Sequence, residues 1–294
     1  MRSVEWALQA HDLRLLQEPW QGLPPEASAI RETVTAFPGF SGFGRLYFGS
    51  EVCEKALPSP DLLRAAVEAA SAAAMDFSLI TPYVTEPGLE RTLLLLEELK
   101  ILRPNCEVIV NDWGTLHLLF CQYPHFTPVL GRLMNKLVRD PRMPLSSPIT
   151  ADFRRCGLAA PPMQSLLRRY GVRRIEVDLL PQGFDEQMGH WGYALSMYIP
   201  FGCIATGRIC LFESLGKQKD EKFQASPSPC PRHCQNYWME LYDISHQVPI
   251  SERWVLIQKG NSVFYRQEAP LIREGLEQAL ATGIDRIVFQ PEPM

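Results

Sequence analysis

The sequence predicts an α/β fold: a TIM-like (β/α) barrel of irregular or incomplete closure, preceded by a short N-terminal extension. Three observations predict it. Short apolar runs alternate with helical segments through short connections, the pattern of a parallel sheet with helices outside. Six to eight such units fit along 294 residues, and barrels of about 250 residues fold as one domain. No Gly-x-Gly-x-x-Gly follows a strand. The stretch Gly39-Phe-Ser-Gly-Phe-Gly44 precedes one, so a dinucleotide-binding open sheet lacks its fingerprint.

Residues 1–43 read as the extension. The spacing over 4–17 is that of an amphipathic helix, Pro24-Pro25 breaks the chain, and 37–44 is a glycine-rich turn. The barrel domain then spans 44–294, with a cysteine-bearing insert at about 203–235. A strand over 46–49 leads to a helix capped by Ser59 or Asp61 and running to 74. A strand over 77–81 precedes a helix over 88–100, with Leu93, Leu96 and Leu99 on one face. A strand over 107–111 precedes a short helix over 114–121, and a strand shortened by its proline spans 127–130. The helix over 161–170 stops at Gly171, which supplies the left-handed C-cap. Strands over 174–178 and 193–199 follow. Segments 254–258 and 262–265 flank Gly260-Asn261 and read as a hairpin. A helix over 270–281 and a strand over 286–289 end the pattern.

Charge is nearly balanced, 29 Lys and Arg against 33 Asp and Glu, which excludes a histone-like polyanion binder and an acidic disordered tail. Eight cysteines in 294 residues are too sparse for a small disulfide scaffold and point to metal binding or buried thiols. Residues 1–17 carry Glu5, His11, Asp12 and Arg14 with no uninterrupted apolar stretch, so the expected location is the cytoplasm, with reduced thiols. The apolar run 193–212 holds Pro200, Gly202, Gly207 and Arg208 and is not expected to span a membrane.

Four cysteines cluster as Cys203-x6-Cys210-x19-Cys230-x3-Cys234, and Cys53 sits just past the strand over 46–49. Thiolates are soft ligands suited to zinc or to iron–sulfur clusters, whose four ligands come from separated loops. His233 offers a Cys3His zinc site as the alternative. Cys106, Cys121 and Cys156 stand in apolar or helical contexts and read as small buried hydrophobes.

The order of segments resembles the collagenase-like peptidase U32 family, nearest the branch of the anaerobic ubiquinone-hydroxylation proteins. The stretches that carry the likeness are Tyr47-Phe-Gly-Ser-Glu-Val-Cys53, Val110-Asn-Asp-Trp-Gly114, Gly131 to Lys136 with Arg139 to Arg142, Tyr170 to Asp178, and Cys203 to Cys210 with Cys230 and Cys234. The likeness covers about residues 45 to 240, and its cysteine signature is the specific part. Gly207-Arg208 lies one residue earlier relative to Cys210 than the family's usual Gly-Arg-Cys, and the interval to Cys230 is longer. The resemblance implies a 4Fe–4S cluster and an oxygen-independent hydroxylase or hydroxylase subunit of ubiquinone biosynthesis. It further implies a small aromatic or quinone-precursor substrate and a second related barrel as heterodimer partner. Two branches of the family use different ligand sets, so five thiols compete for four places. Cys53, Cys210, Cys230 and Cys234 are the expected set, with Cys203 a neighbouring thiol or an alternative ligand.

Cys53, Asp112, Arg132, Asp178 and Cys210 all fall at or just after the ends of predicted strands, where barrel active sites assemble. Asp112, Arg132, Asp178 and Arg208 are the candidate catalytic residues. The carboxylates would bind a polar substrate or orient Arg132, and Arg208 would offset thiolate charge or bind an anion. Asp112 and Asp178 equally suit carboxylates that merely close strand-end loops. Between Arg132 and Arg174, ten basic residues meet only Asp140 and Asp152. RNA tailoring is therefore the alternative function, with a solvated helix face as the plainer reading. A zinc-stabilised binding protein without catalysis is the third reading. No serine-protease context or His-Glu-x-x-His supports proteolysis.

Overall fold

The computed structural model describes residues 4–23, 27–135, 137–139, 153–185, 187–222, 230–243, 248–249 and 255–294. Eight strands close into a parallel barrel: β1 (Glu5–Ala10), β2 (Arg45–Gly49), β3 (Asp76–Ile80), β4 (Glu107–Val110), β5 (Thr127–Leu130), β6 (Arg174–Asp178), β7 (Ala194–Ile199) and β14 (Arg286–Phe289). Closure is complete, because β1 pairs with β14 (Leu8 opposite Phe289) and with β2 (Leu8 opposite Leu46). Helix α1 (Arg14–Gln17) and helix α2 (Ser28–Thr35) precede β2. Helices α3 (Pro60–Ala72), α4 (Glu86–Leu102), α5 (Trp113–Gln122), α6 (Pro161–Arg169) and α7 (Ala269–Thr282) make the later crossovers.

The extension expected over 1–43 is corrected here. Glu5–Ala10 is a barrel strand, and the helix expected over 4–17 shrinks to one turn at Arg14–Gln17. Its alternation has a barrel's cause: Leu8 and Ala10 pack outward, whereas Ala7 joins the interior cluster of Tyr47, Ile80, Ile109, Val129, Tyr198 and Val288.

The interior is layered. At its base Arg286 pairs with Glu107 and Glu5 at 2.6 Å, and Arg45 pairs with Glu5 at 2.6 Å. Above the aromatic and aliphatic layer lies a second polar layer around Arg132, at the strands' C-terminal ends.

A second correction concerns the apolar run 193–212. It splits into β7 and β8 (Phe201–Thr206), and β8 is not a barrel strand. It starts an antiparallel sheet in the order β8, β13 (Ser262–Arg266), β12 (Val255–Lys259), β9 (Met239–Glu240). The short strands β10 (Tyr242–Asp243) and β11 (Val248–Pro249) pair with each other. The whole insert lies in the connection from β7 to α7, so it covers 201–266 rather than 203–235, and it springs from the barrel's C-terminal face. The expected hairpin at Gly260-Asn261 is its β12–β13 turn. Among the described residues no helix is long and apolar enough to cross a membrane.

Candidate functional site

Cys53, Cys210, Cys230 and Cys234 line one cavity of about 340 Å³. They arrive from three segments: the loop after β2, the loop after β8, and the approach to β9. All are free thiols. Burial, then the neighbouring thiols, pushes Cys234 up to about 11. Burial also raises Cys53 against the pull of the Lys55 and Ala56 amides, with Cys210 and Cys230 adding to it. Cys53, Cys210 and Cys234 are thus raised first by burial and then by neighbouring thiols, a repulsion that a cation among them would relieve.

Cys203 is separate. It lies on β8, 1% exposed, within the apolar cluster of Val52, Phe201, Ile257 and Phe264. Burial pushes its thiol up to about 12, and its charged neighbours are Arg132, Glu51, Asp178 and Arg139 rather than the other thiols. His233 does not line the cavity. Among the described residues, no three His, Cys, Asp or Glu side chains converge as ligands of one metal ion.

The Cys53 loop is held from both sides. The Ser50 hydroxyl donates to the Cys53 carbonyl at 2.7 Å. Asn261 donates through Nδ2 to the carbonyls of Val52 and Gly207, 2.7 Å each, which ties the loop of Cys53 to the loop of Cys210. Two carbonyl partners need the amide's NH2 end, which fixes its orientation. The adjoining Gly260 has φ +60°, and a Cβ there would lie 3.3 Å from the Cys234 Cβ, so glycine meets both the backbone and the space requirement.

Arg132 and Asp178 do not reach the cavity. Arg132 is fully buried and spends all five N–H groups within the protein: two on Glu51 (2.6 and 2.7 Å), one each on Asp178 (2.8 Å), the Phe201 carbonyl (2.6 Å) and Gln290 (2.9 Å). Its guanidinium lies over the Tyr198 ring at 3.9 Å. Asp178 also accepts from Arg139 (2.6 Å) and the Cys203 amide (3.2 Å). With every Arg132 donor taken, both Asp178 oxygens paired and both side chains fully buried, the expected catalytic pair is a buried clamp. Asp112 is the N-cap of α5, accepting from the Thr115 amide at 2.6 Å and the Val84 amide at 3.1 Å. It closes a loop, as its alternative reading held. Cys210 follows β8, a strand of the second sheet, rather than a barrel strand. Of the four candidate catalytic residues only Arg208 lines the cavity, exposed and 6.0 Å over the Tyr83 ring.

The basic stretch does not form one face. Arg132 and Arg139 turn inward, and Arg174 pairs with Asp285 at 2.6 Å beneath the barrel. Arg155, Arg168, Arg169 and Arg173 are exposed, and Lys136 and Arg142 lie outside the described residues.

Sequence reasoning missed Glu51, Glu176 and Asn261. Glu51 sat unremarked two residues before Cys53. Glu176 is buried inside the barrel, takes the Tyr198 hydroxyl at 2.9 Å and leaves Oε1 without a hydrogen-bond partner. Burial, then the Glu51 charge, pushes it up to about 8.

No protein-family model and no curated protein matches the chain. Among solved structures, the spore cortex-lytic enzyme SleL of Bacillus megaterium QM B1551 aligns over 98% of this chain and 70% of its own, at 8% identity and a TM-score of 0.36. The C-terminal domain of a putative chitinase from Desulfitobacterium hafniense DCB-2 aligns over 98% and 93%, at 10% identity and a TM-score of 0.32.

Proposed function

We propose that the chain is an iron–sulfur protein of the peptidase U32 type that assists oxygen-independent hydroxylation in ubiquinone biosynthesis, with a related barrel as partner and a small quinone-precursor ring as substrate. The observation that carries the reading is the meeting of four thiols, drawn from three separated segments, on one cavity wall. Four soft thiolate donors drawn from separated loops suit a 4Fe–4S cluster. Cys53, Cys210, Cys230 and Cys234 would hold the cluster, which supplies electron transfer when bound. The chain's own part is positional. Ser50 and Asn261 fix the Cys53 loop, the Glu51–Arg132 pair anchors that loop to the barrel, and Arg208 presents a cation at the cavity.

The test is anaerobic purification with iron, sulfide and zinc assays, joined to quinone analysis of a deletion strain grown without oxygen. Iron and sulfide near four each per chain, with quinone lost in the deletion strain, are expected. Stoichiometric zinc without sulfide would end the cluster reading. Normal quinone with a missing RNA modification would move the substrate to RNA.

A further inference from the structure

Seven of the eight barrel strands each place one residue in the interior cluster, from Ala7 on β1 to Val288 on β14. The eighth, β6, sends Glu176 into the same interior, where it is fully buried and meets the Tyr198 hydroxyl. A carboxylate there is costly unless a cation or a full set of hydrogen bonds meets it. The charged layers on either side offer no spare cation. Above Glu176, Arg132 and Arg139 are matched by Glu51 and Asp178. Below it, Arg286 and Arg45 are matched by Glu107 and Glu5, and Arg174 by Asp285. Each layer balances its own charge, so an anion at Glu176 has no counter-ion.

Its neighbours suit the exchange of a proton. Tyr198, from β7, donates to Oε2 at 2.9 Å, while Oε1 has no hydrogen-bond partner. Tyr47 faces it from β2, and its hydroxyl takes Arg286 at 2.8 Å. Of the charged groups that face it, Glu51 makes it harder to ionise and Arg132 easier. Burial outweighs both and pushes the carboxyl up to about 8. The same neighbours lead on to the thiols. The Arg132 guanidinium lies over the Tyr198 ring at 3.9 Å and binds Glu51, two residues before Cys53. Asp178, two residues beyond Glu176 on β6, takes the Cys203 amide at the start of the inserted sheet. A charge gained at the thiol cavity is therefore felt at Glu176 through a buried interior, where charges act over longer distances than in water.

We propose that Glu176 is a proton-carrying residue of this chain: its carboxylate takes up one proton when the thiol site gains an electron and returns it when the electron leaves. The proposal rests on the cluster reading above. An external one-electron donor supplies the electron, solvent supplies the proton, and the Glu176 O–H bond is the only bond that forms. By linkage, a proton held at Glu176 favours the electron by the same factor. The exchange is confined to a window around pH 8. Well below it the acid is already loaded, and well above it the acid stays empty.

The experiment is infrared difference spectroscopy on the full iron-loaded chain, dithionite-reduced minus oxidised, at about pH 6, 8 and 10, which brackets the group by roughly two pH units on each side. A protonated carboxyl has a carbonyl band that an ionised one lacks. Metal-stripped wild type should show that band at neutral pH, and Glu176→Gln should lose it. On reduction the band should grow near pH 8, as proton affinity rises roughly three-fold or more, and change little at the two extremes. Glu176→Gln should show no growth, and Tyr198→Phe should move the band's frequency by removing its hydroxyl donor. The reduction midpoint should vary with pH in wild type and lie flat in Glu176→Gln, with circular dichroism reporting folding. Three results would each overturn the proposal: no band in wild type at neutral pH, growth that persists in Glu176→Gln, or a band indifferent to reduction in protein shown to hold iron and sulfide. Protein without iron and sulfide would overturn the cluster reading first, and this proposal with it.

Discussion

Replacing Arg132 by methionine removes the cation from a fully buried clamp while keeping much of the side-chain volume. Glu51 loses both its bonds to this guanidinium, Asp178 keeps Arg139 and the Cys203 amide, and the Phe201 carbonyl and Gln290 each lose a donor. Removing one partner from a buried ion pair costs about 3–5 kcal/mol, because the other charge stays buried and uncompensated. With an unfolding entropy of about 2.1 cal/mol/K per residue, 294 residues convert ~4 kcal/mol into a fall of about 6 °C in Tm. Calorimetric melting of wild type, Arg132→Met and the double variant Arg132→Met/Glu51→Leu is the assay. The double variant should melt above the single one, since it removes the stranded carboxylate along with its partner. A single variant melting within about 1 °C of wild type, or a double variant no better than the single, would refute the clamp. Arg132 would then have to be reconsidered as a group free to meet substrate.

Other expectations follow from the same geometry. Cys53→Ser should strip most iron from anaerobically purified protein, as should Cys210→Ser, Cys230→Ser and Cys234→Ser, whereas Cys203→Ser, Cys106→Ser and Cys156→Ser should keep it. Iron loss in Cys203→Ser with retention in Cys53→Ser would overturn the ligand set. Gly260→Ala forces a Cβ toward Cys234 and a left-handed alanine, a strain of about 1–3 kcal/mol, so it should lower both Tm and iron retention; unchanged iron would dissociate the turn from the site. The Glu176 carboxyl, up at about 8 from an ordinary 4.5, stays protonated in the folded chain where the unfolded chain ionises. Its contribution is therefore full below about pH 4.5 and is lost as pH rises through about 8, at most ~1.4 kcal/mol per pH unit. Urea denaturation across that window should show wild type losing stability relative to Glu176→Gln; parallel curves would show that Glu176 ionises normally.

The barrel was largely legible because parallel strands buried on both faces leave apolar runs such as 46–49 and 287–289, and because Gly171 and the Gly260-Asn261 turn punctuate the chain as their backbone requires. Glu5–Ala10 escaped notice since this barrel's interior is polar at both ends: Glu5 lies at the base and Gln9 near the C-terminal face, where it donates to the Met294 carbonyl, and the strand mimics an amphipathic helix. The run 201–206 is as apolar as a barrel strand, so only its antiparallel partners reveal the second sheet. Four thiols were legible as a group. The resemblance set Cys203 beside them as a neighbour or an alternative ligand, and only the tertiary packing shows it enclosed in the apolar cluster of Val52, Phe201, Ile257 and Phe264. Arg132 and Asp178 stand where catalytic groups stand in barrels. That they are already taken is decided by Glu51, 81 positions away from Arg132, a pairing no local pattern encodes.

The inserted sheet leaves and rejoins the barrel at neighbouring points, since Phe201 pairs with Arg266. A segment whose two ends meet can be exchanged, lengthened or deleted over evolutionary time without opening the barrel beneath it. Cys210, Cys230 and Cys234 travel with that segment and Cys53 stays with the barrel, so the four-thiol site exists only where the two are inherited together. Descendants that replaced the segment would keep the scaffold, along with a solitary Cys53 as the trace of the lost site.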